Sequence, residues 1–195
     1  KSIKNFHNTK YYIDQYNITI KHFNINKLDD IRYERVKNLI DSLSIQIEYV
    51  DFLFTSLNRE SLAVNVIHGD PKLNNFLFDV DYKYVVSLID LDTISVGYVL
   101  TDLADCIRSI CNLASEDPVN PDKVIFDVNS CMHFLIGYCS MTNENINKSL
   151  KFILQFIYLI IFELTIRFLT DYLQSSKYFK IKYETHNLLR AEVQY

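Results

Sequence analysis

Glycine and proline are scarce in this sequence, which has three residues of each among 195. Because these residues interrupt helices and delimit strands, their scarcity favours long helices over many short strands. Apolar residues make up 49% of the chain, which predicts a globular fold and excludes intrinsic disorder. The length suffices for a substantial core, and we expect a single domain over residues 1–195.

Three further absences narrow the class of protein: no C-x-x-C pair, no basic excess and no long uncharged apolar run. The four cysteines are widely spaced and no secretory signal precedes them, so we expect reduced thiols, a cytoplasmic location and no zinc site. A formal charge of −4 argues against a nucleic-acid partner. The most apolar stretch, Phe152–Leu169, contains Glu163 and Arg167, which predicts a buried helix rather than a membrane span.

Acidic residues are concentrated in one third of the chain. Residues 61–120 hold nine acids and three bases, a net charge of −6. Such a cluster repels itself unless it is solvated or binds a cation. Because several of these acids adjoin apolar, strand-like runs, we favour cation binding.

Apolar periodicity predicts a mostly helical chain. Apolar residues recur at helical spacing over Leu28–Leu57, which predicts one or two amphipathic helices, whereas Lys1–Asn26 shows no clear period. A helix is also predicted over Asp102–Leu113, and another over Asp122–Tyr138 with its first residue as the cap. The segment Asn145–Leu173 is apolar nearly all round and is predicted as a central helix.

Between these helices the pattern changes to that of strands. Val64–Ile67 is a short apolar run, and Phe76–Val80 and Tyr84–Asp90 are two more, joined by Asp81–Lys83. The last two runs predict a β-hairpin with an apolar inner face.

Polar residues flank the predicted hairpin on both sides. His68-Gly69-Asp70-Pro71-Lys72-Leu73-Asn74-Asn75 precedes it, and Ile89-Asp90-Leu91-Asp92 follows it. Asp70 and Asn75 lie at the two ends of one tight loop, and the hairpin returns the chain so that Asp90 approaches Asn75. Two carboxylates and an amide around one point supply hard oxygen donors, which Mg²⁺ prefers. Phosphate oxygens and water would supply its remaining ligands.

This arrangement fits phosphoryl transfer, in which a protein positions the nucleophile and neutralises charge on the transferring group. We expect Asp70 to accept the proton of, or orient, an acceptor hydroxyl, and Asn75 and Asp90 to bind the metal. Lys72 could reach the γ-phosphate of ATP as a point charge. His68 is expected to hydrogen-bond the loop rather than to act as a base. Taken singly, Asp70 and Asn75 are common turn residues, so their assignment depends on the spacing.

The pattern H-G-D-x-x-x-x-N followed by I-D-L-D resembles the catalytic and metal loops of the aminoglycoside phosphotransferase and choline kinase superfamily. Gly69, where protein kinases carry arginine, points to the small-molecule branch of that kinase architecture. Within the branch, the sequence is most similar to the N-acetylhexosamine 1-kinases. Besides the two loops, the similar segments are Phe6-His7-Asn8-Thr9, Asp102–Arg108, Ser115-Glu116-Asp117, Arg167–Leu173, Tyr178-Phe179-Lys180 and His186-Asn187-Leu188.

The resemblance implies a fold, a reaction and further site residues. The fold would be α+β and mostly α, the C-terminal lobe of a protein-kinase-like fold with a small β-hairpin at the active site. The reaction would be ATP- and Mg²⁺-dependent phosphorylation of a sugar hydroxyl, the anomeric one of an N-acetylhexosamine. Leu77 and Ile89 would lie under the adenine ring, and Asp102 would accept backbone N–H bonds from the catalytic loop. Arg167 and Tyr178 would contact the sugar.

Arg167 has two interpretations from the residues alone. Glu163, Arg167 and Asp171 recur at i, i+4 and i+8 and form one stripe on an apolar helix. The stripe is either a surface ladder of ion pairs, each worth a few tenths of a kcal/mol, or an arginine oriented by two carboxylates toward a substrate oxygen. The cost of placing a polar stripe on a largely buried helix favours the second. His7 and His186 lie in family-like segments without an assignable role.

A kinase of this type needs an N-terminal lobe with a glycine-rich loop over the phosphates. The glycines are Gly69, Gly97 and Gly137, and the residues before the catalytic loop are predicted as helix. We therefore expect that lobe to be absent from this chain. In the complete enzyme the lobe would be the intramolecular partner of this chain, and we expect the chain alone to be inactive. The alternatives are a non-catalytic pseudokinase that serves as a binding module, a metal-dependent hydrolase, and a kinase for choline or an aminoglycoside.

Overall fold

The computed structural model describes residues 5–114, 117, 120 and 123–195, which are mostly helical with two small antiparallel sheets. This composition agrees with the prediction and is compatible with the C-terminal lobe of a kinase-like fold. The cap predicted at Asp122 and the family-like positions Ser115 and Glu116 lie outside the described residues. The chain divides into two compact units.

Unit 1 comprises the described residues of Glu60–Ile160 together with Asn5–His7, and it contains two pairs of strands. The strands are β1 (Val64–Ile67), β2 (Phe76–Phe78), β3 (Val85–Leu88) and β4 (Ser95–Tyr98). β1 pairs antiparallel with β4, with Ile67 opposite Ser95. Strand β4 was not predicted, because Ser95 and Gly97 interrupt its apolar residues and glycine is depleted in strands.

The predicted hairpin is confirmed as β2 paired antiparallel with β3, with Phe76 opposite Leu88. Both strands are shorter than predicted, and at the ends that face each other the reason is a turn around Asp79. The Asp79 carboxylate accepts hydrogen bonds from the backbone N–H groups of Lys83 and Tyr84 at 2.6 and 2.8 Å. The turn therefore takes up residues that the apolar pattern had assigned to strands.

Unit 1 also contains α3 (Val99–Ile110), α4 (Val128–Met141), α5 (Glu144–Ser149) and the first residues of α6. α3 begins three residues earlier than predicted, directly after β4, and Val99 N–H donates to Ala63 O at 3.0 Å. Leu100, Leu103 and Ile107 are buried along its inner face. The cap of α4 is Asp127, whose carboxylate accepts from the first backbone N–H groups of the helix.

Unit 2 comprises Asn8–Arg59 and Ile161–Tyr195. Its helices are α1 (Thr9–His22), α2 (Asp30–Leu57), the remainder of α6 (Ile153–Leu173) and α7 (His186–Gln194). The apolar period over Leu28–Leu57 predicted one or two helices, and the structure has one long helix there, α2. The expectation of an aperiodic entry was wrong, because α1 buries Thr9, Ile13, Tyr16 and Thr19 at helical spacing. Threonine and tyrosine at these positions obscured the apolar period.

The segment Glu144–Leu173 is helical nearly throughout, with a short 3₁₀ turn joining α5 to α6. In the described part of the chain, this is the one segment long and apolar enough to cross a membrane, by length and composition alone. The core helix of a soluble protein meets the same criteria. In unit 2, the helix buries Phe162, Ile166 and Leu169 and carries Glu163, whose side chain is 2% exposed.

Candidate active site

The loop His68–Asn75 begins where β1 ends, and the first turn of α3 lies beside its start. The Asp102 carboxylate accepts hydrogen bonds from the backbone N–H groups of His68 and Gly69 at 2.6 and 2.8 Å. These are the backbone bonds that the resemblance implied for Asp102. Burial raises the pKa of Asp102, and the two backbone hydrogen bonds oppose that rise.

Successive turns of α3 follow the loop further along. Cys106 Sγ lies 3.1 Å from Pro71 O, and Ser109 Oγ accepts from Leu73 N–H at 2.8 Å. With Asp102, these side chains recur at i, i+4 and i+7, so one face of the helix contacts the loop from His68 to Leu73. Sequence reasoning missed Cys106 and Ser109, although their helical spacing from Asp102 was a usable signal.

Every backbone polar group from His68 to Asp70 is hydrogen-bonded to a side chain. The N–H groups of His68 and Gly69 bind Asp102, and that of Asp70 binds His68 Nδ1. The carbonyl oxygens of these three residues accept from Thr93 Oγ1, His7 Nε2 and Asn75 Nδ2 in turn. The backbone that carries Asp70 is therefore fixed without regular secondary structure.

The two contacts of the His68 ring determine its tautomer. Its Nδ1 accepts from Asp70 N–H at 3.2 Å, and its Nε2 lies 2.9 Å from the carbonyl oxygen of Ile89. Because an N–H can only donate and a carbonyl can only accept, the ring proton is on Nε2. Both ring nitrogens thus hold the backbone, which agrees with the loop-bonding role expected for His68.

Gly69 has a left-handed backbone with φ of +89° and packs closely on Thr93. A Cβ at this position would lie 2.8 Å from Thr93 O and 3.1 Å from Thr93 Cβ. We expect Gly69→Ala to lower the free energy of unfolding by roughly 2–5 kcal/mol, because backbone strain and overlap with Thr93 add. Urea denaturation measures the effect.

Gly137→Ala is the matched control for this substitution. Gly137 lies in α4, and a Cβ there meets no atom within 4 Å. Alanine is the better helix former, so this variant should unfold at equal or higher urea concentration. Equal stability of the two alanine variants would contradict the constraint described for Gly69.

Asp70, Lys72 and Asn75 are neighbours in space. Asn75 is 5% exposed, and its Nδ2 donates to Asp70 O at 2.7 Å and lies 3.4 Å from Asp70 Oδ2. Lys72 Nζ lies 3.3 Å from the same Oδ2. Because the amide nitrogen of Asn75 points to Asp70, its Oδ1 is the atom left to face a cation.

Asp90 follows the hairpin directly and is held near Asn75. Ile89 N–H donates to Asn75 O at 2.9 Å, which extends the β2–β3 pairing by one residue. Asp90 itself is exposed and adopts a left-handed backbone with φ of 66° and ψ of 59°. Its carboxylate and Asn75 Oδ1 are hard donors of the type that Mg²⁺ prefers. In the described part of the chain, no three His, Cys, Asp or Glu side chains group as a metal site, so further ligands would come from phosphate or water.

Burial raises the pKa of Asp70, the Lys72 ammonium opposes the rise, and the negative charge of Asp105 adds to it. Asp105 is 4% exposed and accepts from Arg108 Nε at 2.7 Å. Neither residue was singled out as a site residue from the sequence. A carboxylate that holds a proton more firmly than a solvated aspartate is better suited to accept one from a hydroxyl.

Leu77 and Ile89, predicted to lie under adenine, belong to the hairpin and the residue after it. Their side chains are 45% and 40% exposed, so both remain accessible to a ligand. Leu77 pairs with Ser87 across the hairpin. That Leu77 and Ile89 contact adenine stays a prediction.

Arg167 and Tyr178, predicted to contact a sugar, both lie in unit 2. The Arg167 guanidinium carbon lies 4.8 Å from the ring centroid of Tyr12 and 5.6 Å from that of Phe179. Tyr178 is 65% exposed, and its ring packs edge-on against Phe179 with the centroids 4.8 Å apart. The two residues therefore belong to one aromatic cluster, which the sequence pattern alone could not show.

The two carboxylates expected to orient Arg167 have different roles. Glu163 forms an ion pair with Arg167 at 3.6 Å and accepts from Thr9 Oγ1 at 2.9 Å. Asp171 instead accepts hydrogen bonds from Tyr178 N–H and Phe179 N–H at 2.8 and 3.0 Å. The structure thus assigns orientation of the guanidinium to Glu163, and shaping of the loop that carries Tyr178 to Asp171.

Residues 27–122 match the model of APH, the phosphotransferase enzyme family. The matched region includes α2, all four strands, both polar loops and α3, and covers just under half of the chain. The match supports the aminoglycoside phosphotransferase and kinase-like superfamily, and with it a kinase-type enzyme. The family description names phosphotransfer and no acceptor.

Proposed function

We propose that this chain is the catalytic part of an ATP- and Mg²⁺-dependent kinase for a small-molecule hydroxyl. The observation that carries the proposal is the contact of Asp70 with Asn75, together with the bond from Ile89 N–H to Asn75 O that holds Asp90 beside them. A carboxylate and two oxygen ligands at one point suit phosphoryl transfer. The family match is independent support for that chemistry.

In this mechanism Asp70 orients the acceptor hydroxyl and accepts its proton as the oxygen attacks the γ-phosphorus of ATP. The bond from phosphorus to the leaving oxygen breaks, and ADP departs with that electron pair. Asn75 Oδ1 and the Asp90 carboxylate would bind Mg²⁺, which neutralises phosphate charge when present. Lys72, now 3.3 Å from Asp70 Oδ2, would turn to a phosphate oxygen. His68 and Asp102 hold the loop that carries Asp70.

The test is ADP release with Mg²⁺-ATP against N-acetylhexosamines, hexoses, choline and aminoglycosides, with the longest polypeptide that the native gene encodes. Release that requires one of these acceptors supports the kinase. Release without any acceptor would instead favour a hydrolase acting on ATP. No release from a folded protein would favour the pseudokinase that serves as a binding module.

We further propose that the acceptor is an N-acetylhexosamine, phosphorylated at the anomeric hydroxyl. Similarity in the tail segments supports this, together with the aromatic cluster around Arg167. A guanidinium above aromatic rings can donate hydrogen bonds to sugar oxygens while the rings pack on the sugar. Choline would instead call for an aromatic cage around its ammonium group.

We expect Arg167→Ala to raise the KM for the acceptor at least tenfold while the KM for ATP changes less than twofold, because a hydrogen bond to a charged donor contributes about 1.5–3 kcal/mol. Steady-state kinetics measure both. Equal changes in the two KM values would instead indicate that Arg167 has only a structural role, as the ion-pair partner of Glu163.

Two further variants separate binding from stability. Arg167→Lys keeps a cation beside Glu163, whose burial makes an unpaired carboxylate costly. Arg190→Ala is the control in the same unit, since Arg190 lies 5.5 Å from the Phe168 ring and is not assigned to the acceptor. It should leave both KM values unchanged.

We also propose that the strands of unit 1 are covered by an N-terminal lobe in the active enzyme. Exposed apolar side chains on the strands support this. Val64, Val66, Val96 and Tyr98 share one face of the β1–β4 pair, and an exposed apolar face marks an interaction site. The exposed strand residues are Val64, Val66, Leu77, Phe78, Val85, Val86, Val96 and Tyr98. The 195-residue chain tested alone in the ADP assay should bind ATP poorly and turn over little.

A further inference from the structure

The segment Asn5–His7, which precedes α1, lies against the catalytic loop within unit 1. Asn5 and His7 both have left-handed backbones, with φ of 63° and 56°. The Phe6 and His7 rings meet edge-on with centroids 4.5 Å apart. His7 Nε2 is hydrogen-bonded to the carbonyl oxygen of Gly69, across 62 residues of sequence. Asn and His adopt this left-handed conformation more often than most residues do, and at His7 it is combined with a contact to the loop.

The contact fixes the peptide plane that leads into Asp70. Gly69 C=O and Asp70 N–H belong to one planar peptide unit. His7 binds the oxygen of this unit and His68 Nδ1 binds its N–H, so the plane is held on both sides. The orientation of that plane sets ψ of Gly69 and φ of Asp70, and therefore the direction in which the Asp70 side chain leaves the backbone.

We propose that His7 is a positioning residue, which orients the carboxylate of Asp70 by holding the Gly69–Asp70 peptide plane. The inference rests on the proposed kinase function for its kinetic consequence. His7 is not a second base through Nε2, because a carbonyl acceptor requires that nitrogen to carry the proton. Its role passes through the backbone, so the chemistry at Asp70 is affected without contact between His7 and a substrate.

Two variants, His7→Asn and His7→Gln, separate the effect of side-chain length from that of side-chain polarity. Asn tolerates a positive φ, as His7 has, but its side chain is too short to reach Gly69 O. Gln can place an amide N–H near the position of Nε2. His133→Asn is the matched control, since His133 is exposed in α4 and bonds the Asn129 carbonyl one turn earlier at 2.8 Å.

The first readout is amide hydrogen exchange of Gly69 and Asp70 by NMR, on the complete native polypeptide. We expect His7→Asn to exchange the Asp70 amide at least tenfold faster, His7→Gln to restore most of the protection, and His133→Asn to match the wild type. The second readout is kinetic. His7→Asn should lower kcat by roughly 10- to 100-fold with unchanged KM values, as expected for a misplaced catalytic group, and Gln should recover part of it.

Unchanged Asp70 exchange in a folded His7→Asn variant would overturn the proposal, and so would equal kcat losses for Asn and Gln. A His7→Asn variant that raises KM and leaves kcat intact would also overturn it, since His7 would then act on binding. If the wild type transfers phosphate to no acceptor, the proposed function fails, while the exchange data still decide whether His7 holds the peptide plane.

Discussion

Asp70→Asn is expected to lower turnover by roughly 10²- to 10⁴-fold, the usual contribution of a general base, while the protein stays folded. Asparagine keeps the shape of the side chain but cannot accept a proton from the acceptor hydroxyl. Because burial raises the pKa of Asp70 above its value in the unfolded chain, the ionised group is disfavoured in the folded state. Removing its charge at neutral pH should therefore leave the free energy of unfolding equal or higher.

The pH dependence of stability gives an independent check on Asp70. A raised folded-state pKa means that wild-type stability increases as pH falls from the folded pKa of Asp70 through its unfolded pKa. Asp70→Asn lacks this contribution, so its urea midpoint should rise less on acidification. Asp81→Asn is the control, because Asp81 is an exposed hairpin carboxylate paired with Lys83 at 3.2 Å. Turnover of Asp70→Asn equal to that of Asp81→Asn would remove Asp70 from the mechanism.

Asp102→Ala is expected to lower both stability and turnover. It leaves the N–H groups of His68 and Gly69 without their acceptors, at a cost of roughly 2–4 kcal/mol in the free energy of unfolding. The two N–H groups belong to the peptides before His68 and before Gly69, which Asp102 orients, so the position of Asp70 should shift and kcat fall by roughly 100-fold. Urea denaturation and steady-state kinetics measure the two effects on the same preparation.

Asp127→Ala provides the comparison for Asp102. Asp127 also accepts hydrogen bonds from two backbone N–H groups, those of Asn129 and Ser130, but it does so as the cap of α4. Its loss should cost roughly 0.5–2 kcal/mol and leave kcat unchanged. If the two alanine variants lose kcat equally, the effect of Asp102 is one of general stability and not of loop geometry.

Helices with a clear apolar period were predictable from the sequence, and so was the hairpin. α2 and the helical stretch ending at Leu173 follow the predicted ranges closely. A helix buried along one face has apolar residues at helical spacing, and a helix buried all round is apolar throughout, so both can be identified from the sequence. α1 was missed since its buried positions include threonine and tyrosine. α7 buries His186 and Asn187 beside Leu188 and Ala191, and buried polar residues leave no apolar period.

In the site, residues close in sequence were easier to predict than those brought together by the fold. Asp70 and Asn75 share one loop, and the hairpin made the approach of Asp90 calculable from strand geometry. Thr93, Cys106 and Ser109 were missed as contacts of the loop, because each depends on how β4 and α3 pack rather than on a local pattern. The roles of Arg167 and Tyr178 stay predictions.

The side-chain hydrogen bonds around His68–Asp70 have a consequence for the order of folding. Thr93, Asp102 and His7 reach the loop across 25, 34 and 62 residues, so none of these bonds can form before distant segments have assembled. Helices form from local contacts and do not wait for that assembly. On refolding from urea, the far-ultraviolet helical signal should therefore return before the Gly69 and Asp70 amides become protected, and catalytic competence should be the last property regained.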